Sequence, residues 1–186
     1  MQTLKWFGGL EIQKSLGKGA KAPTKPKIYK LKKRKEFLKM RKTDLYLAYG
    51  SNLNLRQMKF RCPTAKVVGS AVLEDYKMVF RGARRSGVAT IEKCKGFKVP
   101  VLIWQITPAD EISLDRYEGY PYFYRKEYFD VEFNGKTQKA MVYIMNEGRE
   151  KSYPSQYYFN TILEGYNCAN FDKKILSDAA QKLYDD

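Results

Sequence analysis

Two short segments of this sequence carry residue types suited to proton transfer. One is the turn Tyr49-Gly50-Ser51-Asn52, and the other is Glu118 within Leu114-Asp115-Arg116-Tyr117-Glu118-Gly119. The sequence contains no histidine. That removes Ser-His-Asp and Cys-His catalysis and most zinc or non-haem iron sites, so acid/base work falls to carboxylates, tyrosines and backbone groups. The glycine allows a sharp turn and a close approach of a ligand to the backbone. N–H groups at the start of the following helix favour a carboxylate or a developing oxyanion. Glu118 is expected at the end of a helix, where the dipole disfavours negative charge. With Tyr117, Tyr120 and Tyr122 shielding it from water, its pKa should rise toward the range of a proton shuttle. Each segment alone also fits a plain strand-to-helix turn and a surface glutamate. Asp115 is the rival carboxylate, expected mid-helix facing solvent.

The elements that must position these residues follow from periodicity. Leu45–Tyr49 is a short apolar run ending at Gly50 and predicts a buried strand. Ser51 or Asn52 is expected to cap a helix over Leu53–Phe60. Val67–Leu73, Tyr76–Phe80, Gly87–Ile91 and Val99–Ile106 predict four strands separated by turn residues. Thr107-Pro108 opens a helix that stops near Gly119. Tyr124–Phe133 alternates and meets Lys139–Met145 through the hairpin signal Asn134-Gly135. Ser152 or Ser155 is expected to cap a helix through Glu164 with Gly165 as its stop, and a last helix runs from Phe171 to Tyr184. Strands joined by hairpins and flanked by helices define an α+β protein with an antiparallel or mixed sheet, possibly closed into a barrel.

With these elements in place the motifs resemble those of the gamma-glutamyl cyclotransferase-like family, which includes the gamma-glutamylamine cyclotransferases and the avirulence-induced-gene-like proteins. The resemblance rests on Leu45-Tyr46-Leu47-Ala48-Tyr49-Gly50-Ser51-Asn52-Leu53, Gly87-Val88-Ala89-Thr90-Ile91, Leu114 to Gly119 and Tyr153-Pro154-Ser155, in the family's order. It implies a mixed, mostly antiparallel β-barrel of about six strands flanked by helices, with no metal and no cofactor. It implies release of 5-oxoproline from a gamma-glutamyl amine or amino acid, with Glu118 as general acid/base. Substrate binding falls to Tyr49, Gly50, Ser51, Asn52 and Leu53, and to a tyrosine that best matches Tyr158, with Tyr157 one residue away. A related acyl- or amine-transfer enzyme on the same fold is the alternative, as is a non-catalytic module.

Charge divides the chain. Residues 1–43 hold 14 Lys/Arg against 2 Asp/Glu, whereas residues 44–186 hold 21 against 18. Residues 1–43 are therefore expected to be a basic, flexible extension, with a linker at Gly17–Pro26, and 44–186 the catalytic domain. The extension could make weak contact with nucleic acid or an anionic surface, although it lacks the interleaved aromatics of single-strand binders. No run is long and apolar enough to span a bilayer, and no secretory signal is expected. Cys62, Cys94 and Cys168 are odd in number and scattered, which points to a reducing, cytoplasmic setting. Arg61 could lower the pKa of Cys62, but no base accompanies it, and all three cysteines read as structural. Arg81, Arg84 and Arg85 around Gly82 could bind an anion, and Tyr120, Tyr122, Phe123 and Tyr124 form an aromatic cluster that packs or lines a pocket.

Overall fold

The computed structural model describes residues 43–133 and 135–181. The basic extension before Thr43, Asn134 of the hairpin turn and the chain after Gln181 lie outside the described residues. So does the linker expected at Gly17–Pro26.

Among the described residues, five strands and four helices follow in chain order: β1 (Asp44–Ala48), a 3-10 turn (Ser51–Leu53), α1 (Leu55–Arg61), β2 (Lys66–Arg81), β3 (Val88–Ile106), α2 (Pro108–Glu118), β4 (Tyr124–Phe133), β5 (Lys136–Met145), α3 (Gln156–Ala169) and α4 (Lys173–Gln181). The four strands expected between residues 67 and 106 are two long ones. The turn-like residues between them form an irregularity rather than a break. Register shifts between Glu74 and Tyr76, Asp75 takes φ 60 and Gly96 φ 82, and the Gly96 N–H donates to Asp75 Oδ1 at 2.8 Å. An Asp side chain holding the extra residues lets the ladder resume on the far side.

The sheet has the order β2-β3-β1-β5-β4 and is open rather than the closed barrel expected. β1 runs antiparallel to β3 and parallel to β5. Its Leu45–Ala48 and the last six residues of β5 are all buried, as befits strands covered on both faces. Leu47, Phe80, Val99, Leu114, Ile162 and Leu176 are among the fully buried side chains of the core.

The site is created by the shortness of β1. The chain leaves the sheet after Ala48, which pairs with Leu102, so among the described residues no strand pairs between the N-terminal half of β3 and the C-terminal end of β5. Backbone groups there lose strand partners and must find others. Side chains supply them. The Met145 N–H donates to Thr90 Oγ1 at 3.0 Å, Tyr49 donates to the Tyr143 carbonyl at 2.6 Å, and Tyr124 donates to the Ala89 carbonyl at 2.7 Å. The Ala89 N–H donates to Tyr158 Oη at 3.2 Å. The Gly87–Ile91 stretch thus borders this gap.

Helix ends are fixed locally. Thr107 and Asp110 form a reciprocal capping box at the start of α2, with Pro108 in the first turn, and Gly119 ends the helix in the left-handed region at φ 63. At α1 the cap is Asn54, whose side chain accepts the Gln57 N–H at 3.1 Å, rather than Ser51 or Asn52. The 3-10 turn delays the helix by one step and leaves the Ser51 and Asn52 side chains available for other contacts. Ser155 caps α3, but Gly165 does not end it. A Cβ at Gly165 would stand 2.5 Å from Leu53 Cβ, so the glycine is needed where α3 crosses the 3-10 turn, and Asn170 at φ 54 is the left-handed terminator. Asn54 Nδ2 ties the same crossing, donating to the Thr161 carbonyl at 3.1 Å and to Glu164 at 2.8 Å. Among the described residues no helix is long and apolar enough to cross a membrane.

Candidate active site

A cleft of about 360 Å³ opens beyond the end of β1. Tyr49, Gly50, Ser51, Asn52, Glu118 and Tyr158 all line it, although Glu118 and Tyr158 are 66 and 106 or more residues from the turn in sequence. Tyr46, Tyr117, Phe123, Tyr124 and Tyr143 complete much of the wall. Leu53 is placed differently: it is fully buried against Gly165. Of the two candidate tyrosines, Tyr158 reaches the cleft, whereas Tyr157 is 74% exposed on the outer face of α3. A Cβ at Gly50 would stand 3.6 Å from Tyr158 Oη and 3.4 Å from Ala89 Cβ, so a side chain there would enter the narrow part of the cleft.

Glu118 is the last residue of α2 and is partly exposed to the cleft. Its Oε1 accepts from Asn52 Nδ2 at 2.8 Å. The second Nδ2 proton goes to Tyr46 Oη, also at 2.8 Å, and Asn52 Oδ1 accepts from Arg61 Nη1 at 2.6 Å. Burial pushes the Glu118 carboxyl up to about 7, while the Arg61 charge and the Asn52 hydrogen bond pull it down. That value divides the group between acid and base near neutral pH, the condition under which one carboxyl both accepts and returns a proton efficiently. The surrounding phenols of Tyr46, Tyr49, Tyr124, Tyr143 and Tyr158 are all pushed upward, burial being the largest cause at each. They stay protonated and act as hydrogen-bonding walls.

Asp115 is held away from this chemistry. It does not face solvent freely, as its mid-helix position suggested. It accepts from Tyr143 Oη at 2.6 Å and pairs with Lys126 at 2.6 Å, and Lys126 also reaches Glu111 at 2.6 Å. Cys62 is buried with its Sγ 3.5 Å from the Asp110 carbonyl, and burial pushes its thiol up to about 12, so the neighbouring arginine does not activate it. Arg81 is paired with Glu92 and donates to the Arg149 carbonyl at 3.0 Å, while Arg84 and Arg85 are exposed on the loop after β2. Within the aromatic cluster, Phe123 and Tyr124 line the cleft, Tyr122 is 87% exposed and Tyr120 lies under Lys126. Among the described residues no three acidic or cysteine side chains group as metal ligands.

Two arginines at the site escape the sequence reading, Arg149 on the cleft wall and Arg61 behind it. In sequence Arg61 reads as a neighbour of Cys62, whereas in the fold its guanidinium reaches Ser51, Asn52 and the Tyr117 ring. Arg149 comes from the loop after β5, with its guanidinium 3.8 Å from the Phe123 ring centroid.

Among the described lining residues, Glu118 is the one carboxyl in a tyrosine-walled cleft at the end of a short central strand of an open mixed sheet. The chain matches the model of the family described as gamma-glutamyl cyclotransferase, AIG2-like, over residues 46–160, more than half its length, and it belongs to that family of enzymes. The gamma-glutamylcyclotransferase of Bos taurus is 29% identical over 132 residues, which span 65% of this chain and 69% of the relative. That of Homo sapiens is 34% identical over 82 residues, 40% of this chain and 44% of the relative. A solved gamma-glutamyl cyclotransferase superimposes with a TM-score of 0.65 at 26% identity, over 74% of this chain and 86% of its own. YkqA of Bacillus subtilis, at 21% identity and TM-score 0.64 over 82% and 58% of the two chains, shares the fold.

Proposed function

We propose that this enzyme closes the glutamyl group of a gamma-glutamyl compound on itself, releasing 5-oxoproline and a free amine, with Glu118 carrying the proton. The observation that carries this reading is the pairing of Glu118, poised near neutrality, with the Tyr49–Asn52 turn in one cleft. The substrate's own alpha-amine is the nucleophile. It gives up a proton to the Glu118 carboxylate and attacks the gamma-carbonyl carbon, forming the ring C–N bond. The tetrahedral oxyanion collapses, the bond to the leaving nitrogen breaks, and Glu118 returns the proton to that nitrogen. No outside reactant is needed, so the protein's main contribution is to fold a flexible chain into the ring-closing geometry, which can remove several kcal/mol from the barrier. Backbone N–H groups of Gly50, Ser51 and Asn52 hold the substrate carboxylate or the oxyanion. Tyr49 and Tyr158 shape the wall, their hydroxyls committed to backbone bonds that fix them.

A second charged side chain on the cleft wall reads the leaving group. Of the described residues that line it, Glu118 carries the acidic side chain and Arg149 the basic one. Arg149 is steadied by the Phe123 ring, and its backbone by Arg81. A cation there suits a leaving group that bears a carboxylate, so gamma-glutamyl amino acids are favoured over gamma-glutamyl amines. A mass-spectrometric screen for 5-oxoproline across both classes tests the reading. Product from the amino acids supports it, and no product from any gamma-glutamyl compound overturns it.

A further inference from the structure

We propose that Arg61 is a positioning residue for this site: it locks the Asn52 amide in one orientation and thereby presents an N–H of Asn52 to Glu118.

An asparagine amide has two faces, one accepting and one donating, and nothing in the residue itself chooses between them. Asn52 is only 3% exposed, so all its polar atoms need partners. Arginine can only donate. With Arg61 Nη1 2.6 Å from Asn52 Oδ1, the oxygen must face α1, and both amide protons are turned toward Tyr46 Oη and Glu118 Oε1. The reverse orientation would set two donors against the guanidinium and the amide oxygen against a carboxylate. Arg61 is itself held in place. Its Nη2 donates to Gln57 Oε1 at 2.7 Å, one turn back on α1, Nη1 also reaches Ser51 Oγ at 3.4 Å, and the guanidinium lies 3.6 Å from the Tyr117 ring centroid. Tyr117 Oη lies 3.1 Å from Ser51 Oγ. The whole substrate-facing turn is thus clamped from α1 and from the residue preceding Glu118.

The same arrangement sets where Glu118 titrates. The groups around it are Tyr46 from β1, Tyr49 after it, Arg61 from α1, Tyr117 from α2, Tyr124 from β4, Tyr143 from β5 and Tyr158 from α3, with Arg149 on the cleft wall. Arg61 is the cation among them that acts on Glu118, and its charge and the Asn52 donor both favour the ionised form. Losing Arg61 removes the charge and frees the amide to turn.

The test combines carboxyl and amide NMR with rate measurements on the wild type, Arg61→Met and Arg61→Lys. This proposal rests on the cyclotransferase reading only for the rates. In Arg61→Met the Glu118 carboxyl is expected to titrate about one pH unit higher. The two Asn52 side-chain N–H resonances, kept distinct by the partial double bond of the amide, should move toward free-amide positions as the group turns and loses its fixed partners. The ascending limb of kcat/KM should move with the carboxyl, giving roughly a tenfold loss at pH 6 and little loss at pH 9. Arg61→Lys, which keeps the charge and most of the stem, should titrate near the wild type, and it provides the comparison if the methionine variant does not fold. A carboxyl that titrates as in the wild type in Arg61→Met, or in a folded Arg61→Lys a limb displaced as far as full loss of charge demands, overturns the proposal. If the titration and amide signals change as expected but the wild type releases no 5-oxoproline, the positioning role stands and the assigned reaction fails.

Discussion

Replacing Glu118 by glutamine should both stop the reaction and stabilise the protein, and the stabilisation should depend on pH. The carboxyl is raised from 4.5 to about 7 on folding, mainly by burial. Its neutral form is therefore favoured in the folded state. Below pH 4.5 both states are protonated and the raised pKa has no cost. As pH climbs from 4.5 to 7 the unfolded chain ionises first, and stability falls by about 1.4 kcal/mol per unit. Above 7 the loss levels off at about 3 kcal/mol. Glutamine stays neutral throughout, and its Oε1 still accepts from Asn52 Nδ2. The variant should therefore match the wild type at pH 4 and exceed it by about 3 kcal/mol at pH 8, a Tm difference of roughly 10 °C. Urea unfolding at pH 4, 6 and 8 measures this directly. An advantage for Glu118→Gln that is the same at every pH, or absent at pH 8, would refute the claim that Glu118 is held in a costly desolvated position.

Other perturbations probe the frame around the site. Gly165→Ala should destabilise by about 1–3 kcal/mol and lower kcat, because the new Cβ collides with Leu53 and shifts the 3-10 turn; denaturant unfolding and steady-state rates check it. Thr90→Val leaves the Met145 N–H unpaired in the gap between β3 and β5, at a cost of about 1–3 kcal/mol visible by thermal unfolding. Arg149→Met should lower kcat/KM about tenfold or more for gamma-glutamylalanine and leave gamma-glutamylethylamine unchanged, as a side-by-side assay of this pair would show.

The residues of the cleft were more legible than its frame. Tyr49–Asn52 and Glu118 stand in local patterns, a strand ending at glycine and a helix ending at glycine, that read directly from the sequence. Their meeting did not: the separation of 66 residues between Asn52 and Glu118 is bridged only by the family resemblance or by the fold. The closed barrel failed because the edge strands β2 and β4 share no ladder, and within the sheet tyrosine and threonine side chains take over backbone bonds left open beyond the end of β1. Strand counting failed where an aspartate side chain bridges an irregularity that resembles a turn. Gly165 resembled a helix stop because glycine is common there, yet its role is close approach to Leu53 within the helix. The contact of Arg61 with Asn52 was not legible because Asn52 reads as a cap until the 3-10 turn hands capping to Asn54.

The most direct test of the account is release of 5-oxoproline from gamma-glutamylalanine by the wild type and by Glu118→Gln, measured by mass spectrometry with both proteins shown to be folded. The account predicts stoichiometric 5-oxoproline and alanine from the wild type and a loss of at least a hundredfold in the variant. Equal turnover by the two proteins would contradict it.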